Sequence, residues 1–523
     1  MEASSPRSQD EPLEGNEERI GRAGPAGAGQ AAVASSQAGP SVPWPAEAGR
    51  GAARPPEWAE GEWDVVVAGG GNAALVAAIA AEDAGCRVLV LERAPAHMRG
   101  GNSRHTRNIR CIHEADSYNS GAYRYDELWK DLCQVGEGPN DEELASFTVR
   151  DSATMPGWMW DHGARWQQPL HGTLHLGRTN RFFLGGGKAL INSYYRYIGT
   201  RRRISVAYDA KVEEVELDGR RCAGVLVAWG GALHRVRTRA LICASGGFEA
   251  NLDWLRRYWG DAVDNYIIRG TPYNDGHLLA RLYEAGAARA GQERGFHAIA
   301  LDARAPKFDG GIATRLDTIP FGIVVNRYGR RFYDEGEEFW PKRYAVWGGH
   351  IARQDGQIAY SLWDAKVSSL TLPPMYGVTT GGSVTEVARA LGLDDETVAQ
   401  VGRTVAEYNA GVVDGTFDPA ALDDCHTEGV APAKSHWAQR LDTPPFYGIA
   451  MRPGITFTYM GVAVNADARV VCEDDSAFDN IFAAGEIMSG NILSTGYLAG
   501  FGMTIGSVWG RQAGIKAATH VRR

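Results

Sequence analysis

Long apolar runs are missing from this 523-residue chain. No stretch of 18 hydrophobic residues occurs, so no membrane-spanning helix and no direct membrane insertion are expected. A basic start followed by an apolar core is also missing, so a secretory leader is not expected. Cysteine is scarce. The seven cysteines, Cys86, Cys111, Cys133, Cys222, Cys243, Cys425 and Cys472, form no CxxC or CxxCH pattern. That spacing excludes the familiar zinc, haem and iron–sulfur signatures and suits reduced thiols in a cytoplasmic protein, with no metal expected. An excess of positive charge is lacking too. The formal net charge is -9, which argues against a nucleic-acid partner and leaves no polybasic handle for a lipid surface.

What is present falls into two unlike parts. Residues 1–61 are rich in Ala, Gly, Pro, Glu and Ser and nearly free of Ile, Leu and Phe. Such a stretch buries too little apolar surface to offset its ordering entropy, so a disordered tail is expected, with a partner-docking segment as the alternative. From Trp63 the pattern changes. Asp64-Val65-Val66-Val67-Ala68 is a buried-strand run, Gly69-Gly70-Gly71 a turn, Ala73–Ala84 a small-residue helix, and Arg87–Leu91 a second buried strand closed by Glu92. This is a βαβ unit in about thirty residues. Ala240–Ala244, Val462–Val464 and Ile481–Ala484 continue the strand pattern, and Gly496–Gly514 reads as helical. Between them lies a mixed, aromatic-rich middle. The predicted architecture is an α/β, Rossmann-like dinucleotide-binding domain (62–290 and 448–523) interrupted by an α+β capping domain (291–447).

Gly69-Gly70-Gly71-Asn72-Ala73-Ala74 fits GxGxxA. The first glycine allows a tight turn, the second admits a pyrophosphate to the backbone, and the small third position lets helix and strand pack closely. The helix start offers N–H groups and a positive dipole end to phosphate, and Glu92, followed by Arg93, is placed to hold a ribose hydroxyl. Three further clusters follow: Arg99-Gly100-Gly101-Asn102-Ser103, Ala244-Ser245-Gly246-Gly247-Phe248, and Ala484-Gly485-Glu486 running to Gly490-Asn491. So many close backbone approaches suit FAD, whose flavin extends beyond the pyrophosphate. No second complete GxGxxG with strand context occurs, so a separate NAD(P)H site is not expected.

These four clusters, in this order, resemble the fumarate reductase/succinate dehydrogenase flavoprotein superfamily over about residues 62–515. Within it, the passages Gly100–Asn108, Leu184–Leu190, Arg331–Gly336, Pro341–Tyr344, Pro453–Tyr459 and Gly496–Gly502 are similar to the FAD-dependent tricarballylate dehydrogenases. The resemblance implies a flavin domain with a cap that closes over the substrate, and hydride transfer between a substrate carbon and flavin N5. It also implies an arginine on the cap that exchanges the proton on the neighbouring carbon. That arginine is expected to be Arg343, after Asn326–Phe332; a carboxylate clamp or a surface ion pair are the alternatives. His297 resembles the substrate-binding histidine, a structural histidine being the alternative. Thr314 resembles a threonine that bonds a substrate carboxylate. Arg315 stands where fumarate reductases tend to carry an acid, which suits a substrate with an extra carboxylate. Leu498 and Asn491 fall in the cofactor passages.

Two departures stand out. Histidines expected at Thr456-Phe457 and an arginine near Tyr497 are absent, so Tyr497 and Tyr459 are candidates to donate hydrogen bonds, or else pack against the flavin. His105 is a candidate for covalent flavin attachment, although the local pattern differs, and Lys188 is expected to pack near the adenosine half and not to perform chemistry. The expected function is interconversion of a CH–CH and a C=C bond beside a carboxylate, on tricarballylate or a related polycarboxylate. An uncharged, steroid-like or secondary-metabolite enone is the alternative substrate. Electrons are expected to pass to a separate electron-transfer partner, a membrane-bound one being among the candidates, or to a quinone or oxygen.

Overall fold

Strands that are apolar on both faces need cover on both sides, and the first sheet supplies it. In the computed structural model, which describes residues 56–168, 176–310, 314–370 and 373–523, Glu62–Ala68 (β1) is buried along its last four residues. It connects through helix Asn72–Asp83 (α1) to Val88–Leu91 (β2), with Val65 opposite Val88. Ile204–Ala207 (β3) adds to β2, and Ala232–Cys243 (β4) lies on the other side of β1, all parallel. A hairpin, Lys211–Asp218 and Arg221–Trp229, runs antiparallel off β4.

The inserted segment builds a second, mostly antiparallel sheet. Phe296–Asp302 (β5) pairs with the 13-residue strand Phe446–Thr458 (β6), His297 opposite Phe457. Strand β6 also pairs with Ile267–Arg269, Ala359–Asp364 and Thr379–Gly381. This sheet therefore reaches outside residues 291–447 on both sides. Ala477–Ala483 (β7) then returns to the first sheet, parallel to β4.

The C-terminal helix Phe501–Val521 (α2) is packed on α1. It begins after Gly500, whose φ of 83° makes a left-handed turn, so Gly496–Gly500 precedes the helix instead of opening it. Glycines at i, i+4 and i+8 bring the two backbones together: a Cβ on Gly510 would stand 2.6 Å from Ala73 O, and one on Gly514 2.4 Å from Ala77 O. Asn72 Nδ2 donates to Ser507 Oγ (2.9 Å) across the same seam.

The expected tail lies outside the described residues up to 55. From Pro56 on, the chain is ordered earlier than Trp63. Glu57–Ala59 forms a turn, Trp63 Nε1 donates to Trp58 O (2.9 Å), and Trp58 meets Trp229 edge-on at 5.8 Å. Two aromatic rings that find partners at the sheet edge outweigh the local polar composition.

Gly514→Val places a branched side chain against a backbone carbonyl that cannot retreat. Overpacking of this kind costs about 1–3 kcal/mol. Calorimetry is expected to show a lowered Tm for the variant; an unchanged Tm would mean that the helices separate at no cost.

Candidate active site

The ends of β1, β2 and β4, the start of α1 and the start of α2 surround one large cavity. Twelve of the residues expected at the cofactor line it: Gly69, Gly71, Asn72, Ala73, Glu92, Arg93, Gly101, Asn102, Ser103, Gly246, Gly485 and Glu486. Gly69 has a φ of 122° and its Cβ position lies 2.3 Å from Ala244 O, so strand packing already demands glycine there. Gly71 is different. A Cβ there would meet nothing closer than Ser103 Oγ at 3.4 Å, an ordinary contact. Protein approaches Gly71 only at van der Waals distance, and the residue lines the cavity, as a backbone cradle for a pyrophosphate requires. Asn72 N donates to Ser103 Oγ (3.0 Å), tying the second cluster to the helix start. Glu92 accepts from Ala94 N (2.9 Å) and Gly100 N (3.1 Å), and burial raises its pKa.

Five expected cofactor residues do not line the cavity. Ala74 and Leu498 are fully buried in the core. Gly100, at φ 111°, orders Glu92. Gly247 is small because Thr458 Oγ1 and Glu486 Oε1 press on it. Asn491 holds the backbone of Val462 and Val464 through its amide (2.9 and 3.1 Å).

At the far end, the cavity passes under the second sheet and becomes cationic and aromatic. Arg107, Arg269, Arg315, His297, Tyr344 and Tyr497 line it. His297 is 2% exposed and lies flat on Tyr497, ring centres 3.9 Å apart and planes 7° apart. Neither ring nitrogen of His297 has a hydrogen-bond partner. Burial, then Arg269, pushes its pKa well down, so the ring is neutral. Tyr497 Oη accepts from Gly502 N (2.9 Å), and burial raises its pKa. Arg315 pairs with Asp317 at 2.7 Å, with Arg107 3.6 Å from the same carboxylate oxygen, yet Arg315 Nε and Arg107 Nη2 have no hydrogen-bond partner. Arg269 donates to Thr456 Oγ1 (3.3 Å), and burial lowers its pKa.

The expected proton-exchanging arginine is not in this group. Arg343 lies off the cavity lining, its side chain 31% exposed and 3.4 Å from Glu337 Oε1. Helical periodicity explains this. In Trp340–Arg343 the apolar Trp340 and Pro341 turn inward, Tyr344 follows at i+4 on the same face, and Lys342 and Arg343 point away, Lys342 to Asp131 at 2.8 Å. Thr314 also misses the cavity, because its hydroxyl is spent on Asp309. Tyr459 is buried behind it, its N–H on Gly295 O (3.0 Å). His105 lines the cavity, its pKa lowered to about 4 by burial and then by Arg269, Arg104 and Lys188.

Arg269, Arg107 and Tyr344 were not singled out by sequence reasoning. Arg269 carried a usable signal: a lone cation ending the apolar run Tyr266-Ile267-Ile268 just before Gly270, the placement Glu92 has after β2.

A family model described as an FAD binding domain matches residues 64–502. The chain belongs to the FAD binding domain family. FAD is therefore the group that the Gly69–Ala73 cradle, Glu92, Asn102, Ser103, Gly246 and Glu486 would hold. Among relatives of this FAD-binding chain, an NADH:fumarate oxidoreductase of Klebsiella pneumoniae (strain 342) is 27% identical over 479 residues, 88% of this chain and 48% of that protein. The chain thus spans about half the length of that relative. The open form of a flavocytochrome c3 fumarate reductase superposes with a TM-score of 0.68 at 21% identity, covering 89% of this chain and 79% of that one. A 3-ketosteroid-Δ4-(5α)-dehydrogenase from Rhodococcus jostii RHA1 superposes at 0.66 and 21%, covering 90% and 99%. These two likenesses show the fold.

Because a Cβ at residue 71 meets nothing closer than ordinary contact distance, Gly71→Val should fold and lose its flavin. The expected result is a near-wild-type circular dichroism spectrum with no visible absorbance; normal flavin occupancy would refute the cradle.

Proposed function

We propose that this FAD-dependent oxidoreductase interconverts a CH–CH and a C=C bond beside a carboxylate, on a substrate that carries more than one carboxylate, tricarballylate being the reference compound. The carrying observation is the set of buried, incompletely paired polar groups facing one cavity: the donors Arg315 Nε and Arg107 Nη2, and the ring of His297 with its one N–H and one acceptor nitrogen. A buried donor left without a partner costs about 1–3 kcal/mol, and more for a charged one. Carboxylate oxygens relieve several at once, and guanidinium groups match them in two-point geometry. The Klebsiella relative is named for fumarate, a dicarboxylate, in keeping with this reading.

Bound FAD supplies the hydride acceptor or donor. Arg315 and Arg107, held by the shared Asp317, fix the carboxylates. Neutral His297, propped by Tyr497, has one N–H to donate and one nitrogen to accept. Arg269 carries the proton exchanged at the neighbouring carbon. Its burial disfavours the charged form, the condition a guanidinium must meet to act as an acid. Electrons then pass to or from a separate carrier.

The enone alternative has its own support: two phenols, Tyr497 and Tyr344, face the cavity, and a ketosteroid dehydrogenase shares the fold. Stopped-flow mixing separates the two. Tricarballylate is expected to bleach the flavin without NAD(P)+, and an added quinone to restore it. If polycarboxylates leave the flavin oxidised while a saturated ketosteroid bleaches it, the enone reading replaces this one. Arg269→Lys is expected to lower turnover roughly 10²–10⁴-fold and to slow solvent-proton exchange into the substrate. Arg343→Ala should stay within a few-fold of wild type; a loss as large as that of Arg269→Lys would return the proton to Arg343.

A further inference from the structure

Behind the cofactor end of the cavity two carboxyls meet. Glu249 follows the Ser245–Phe248 turn and is fully buried, while Glu486, after β7, faces the cavity. A Cβ on Gly247 would stand 2.3 Å from Glu486 Oε1 and 2.8 Å from Glu249 Oε2, so both oxygens crowd one point, and the side chains are in hydrogen-bond contact. Glu249 Oε1 accepts from Asn102 Nδ2 (2.6 Å) and Asn274 Nδ2 (2.7 Å). Glu249 Oε2 receives no N–H or O–H among the described residues. Glu486 Oε1 accepts from Thr458 N (3.0 Å). Neither carboxyl joins a salt bridge recorded among the described residues. Buried Tyr497, on the segment before α2, is an ionisable group that acts on Glu486, and Arg269 reaches β6 at Thr456, two residues before the Thr458 that donates to Glu486. Two carboxylates cannot bond each other without a proton between them.

We propose that Glu249 and Glu486 share one proton, and that Glu249 is a positioning residue that holds Glu486 in place against the FAD cradle. The inference rests on the FAD assignment and is independent of the polycarboxylate reading. Asn102 couples the pair to the site directly, because its amide oxygen accepts from Thr271 N (2.8 Å), beside Arg269, while its amide nitrogen holds Glu249. Burial raises both carboxyls, Glu249 to about 7. The sign follows. In the unfolded chain a glutamate has lost its proton by neutral pH, whereas the folded pair keeps one. Folding is therefore favoured below neutrality and weakens as pH rises through it, when two adjacent buried carboxylates repel; under the proposal flavin retention has the same sign, because only the proton-sharing pair holds Glu486 against the cradle.

The test is the FAD dissociation constant of the full-length protein from about pH 6 to about pH 9. Wild type is expected to weaken by up to roughly tenfold per pH unit above the titration point, as release of one proton requires. Glu249→Gln replaces the shared proton by an amide N–H and is expected to give a flat profile, with Glu249→Ala weak throughout. A flat wild-type profile, or the wild-type slope retained in Glu249→Gln, overturns the proposal. Should Glu249→Gln fail to fold, infrared pH-difference spectra of the wild-type holoprotein decide. A protonated-carboxyl band lost across neutrality supports the pair, and its absence at low pH overturns it.

Discussion

The backbone-to-backbone seam between α1 and α2 is the constraint on which the site depends. Gly506, Gly510 and Gly514 let α2 lie against Ala73, Val76, Ala77 and Ala80 with no side chain of its own at those three positions. That closeness brings two helix starts to one cavity, at Asn72 and at Phe501, with their positive dipole ends. The first faces the cradle under Gly71. The second leads into Gly502, whose N–H reaches Tyr497, which in turn supports His297 from the second sheet. Cofactor end and substrate end are thus joined through one helix pair.

The substrate end follows from desolvation. Three guanidinium groups and a histidine face one cavity, and the carboxylate near two of them, Asp317, is shared. Asp317 also accepts from Trp340 Nε1 (2.6 Å), so it is held as a fixed counter-charge. Burial drives His297 neutral and lowers the pKa of Arg269. In the proposed reading the surplus donors take a ligand with several anionic oxygens, and the softened guanidinium supplies the proton.

How much of this was legible in the sequence varied with how local the signal was. The βαβ unit, GxGxxA and Glu92 are written within thirty residues, and strand, turn and helix form where the pattern puts them. Gly71 and Gly101 face the cavity as expected. The substrate residues depend on orientation across elements, which spacing alone does not settle. Arg343 was favoured by its place in a motif, but on a one-turn helix the apolar Trp340 and Pro341 claim the inner face and send it outward. Thr314 was legible as a polar residue, but not that Asp309 would take its hydroxyl. Arg269 and Arg107 come from segments assigned to the cofactor half, and only the folding of the second sheet over that half brings them beside His297 and Arg315. The Glu249–Glu486 contact likewise joins residues more than two hundred positions apart.

The central claim is that carboxylates are read by Arg107 and Arg315, with Arg269 as the proton carrier, around the His297–Tyr497 stack. It is tested most directly by a crystal structure of the flavin-loaded protein with tricarballylate. The account predicts carboxylate oxygens within hydrogen-bond reach of Arg315 Nε, Arg107 Nη2 and a ring nitrogen of His297, with Arg269 against the carbon skeleton. Carboxylates bound instead by Arg343, or a ligand that leaves the three cavity arginines untouched, would contradict it.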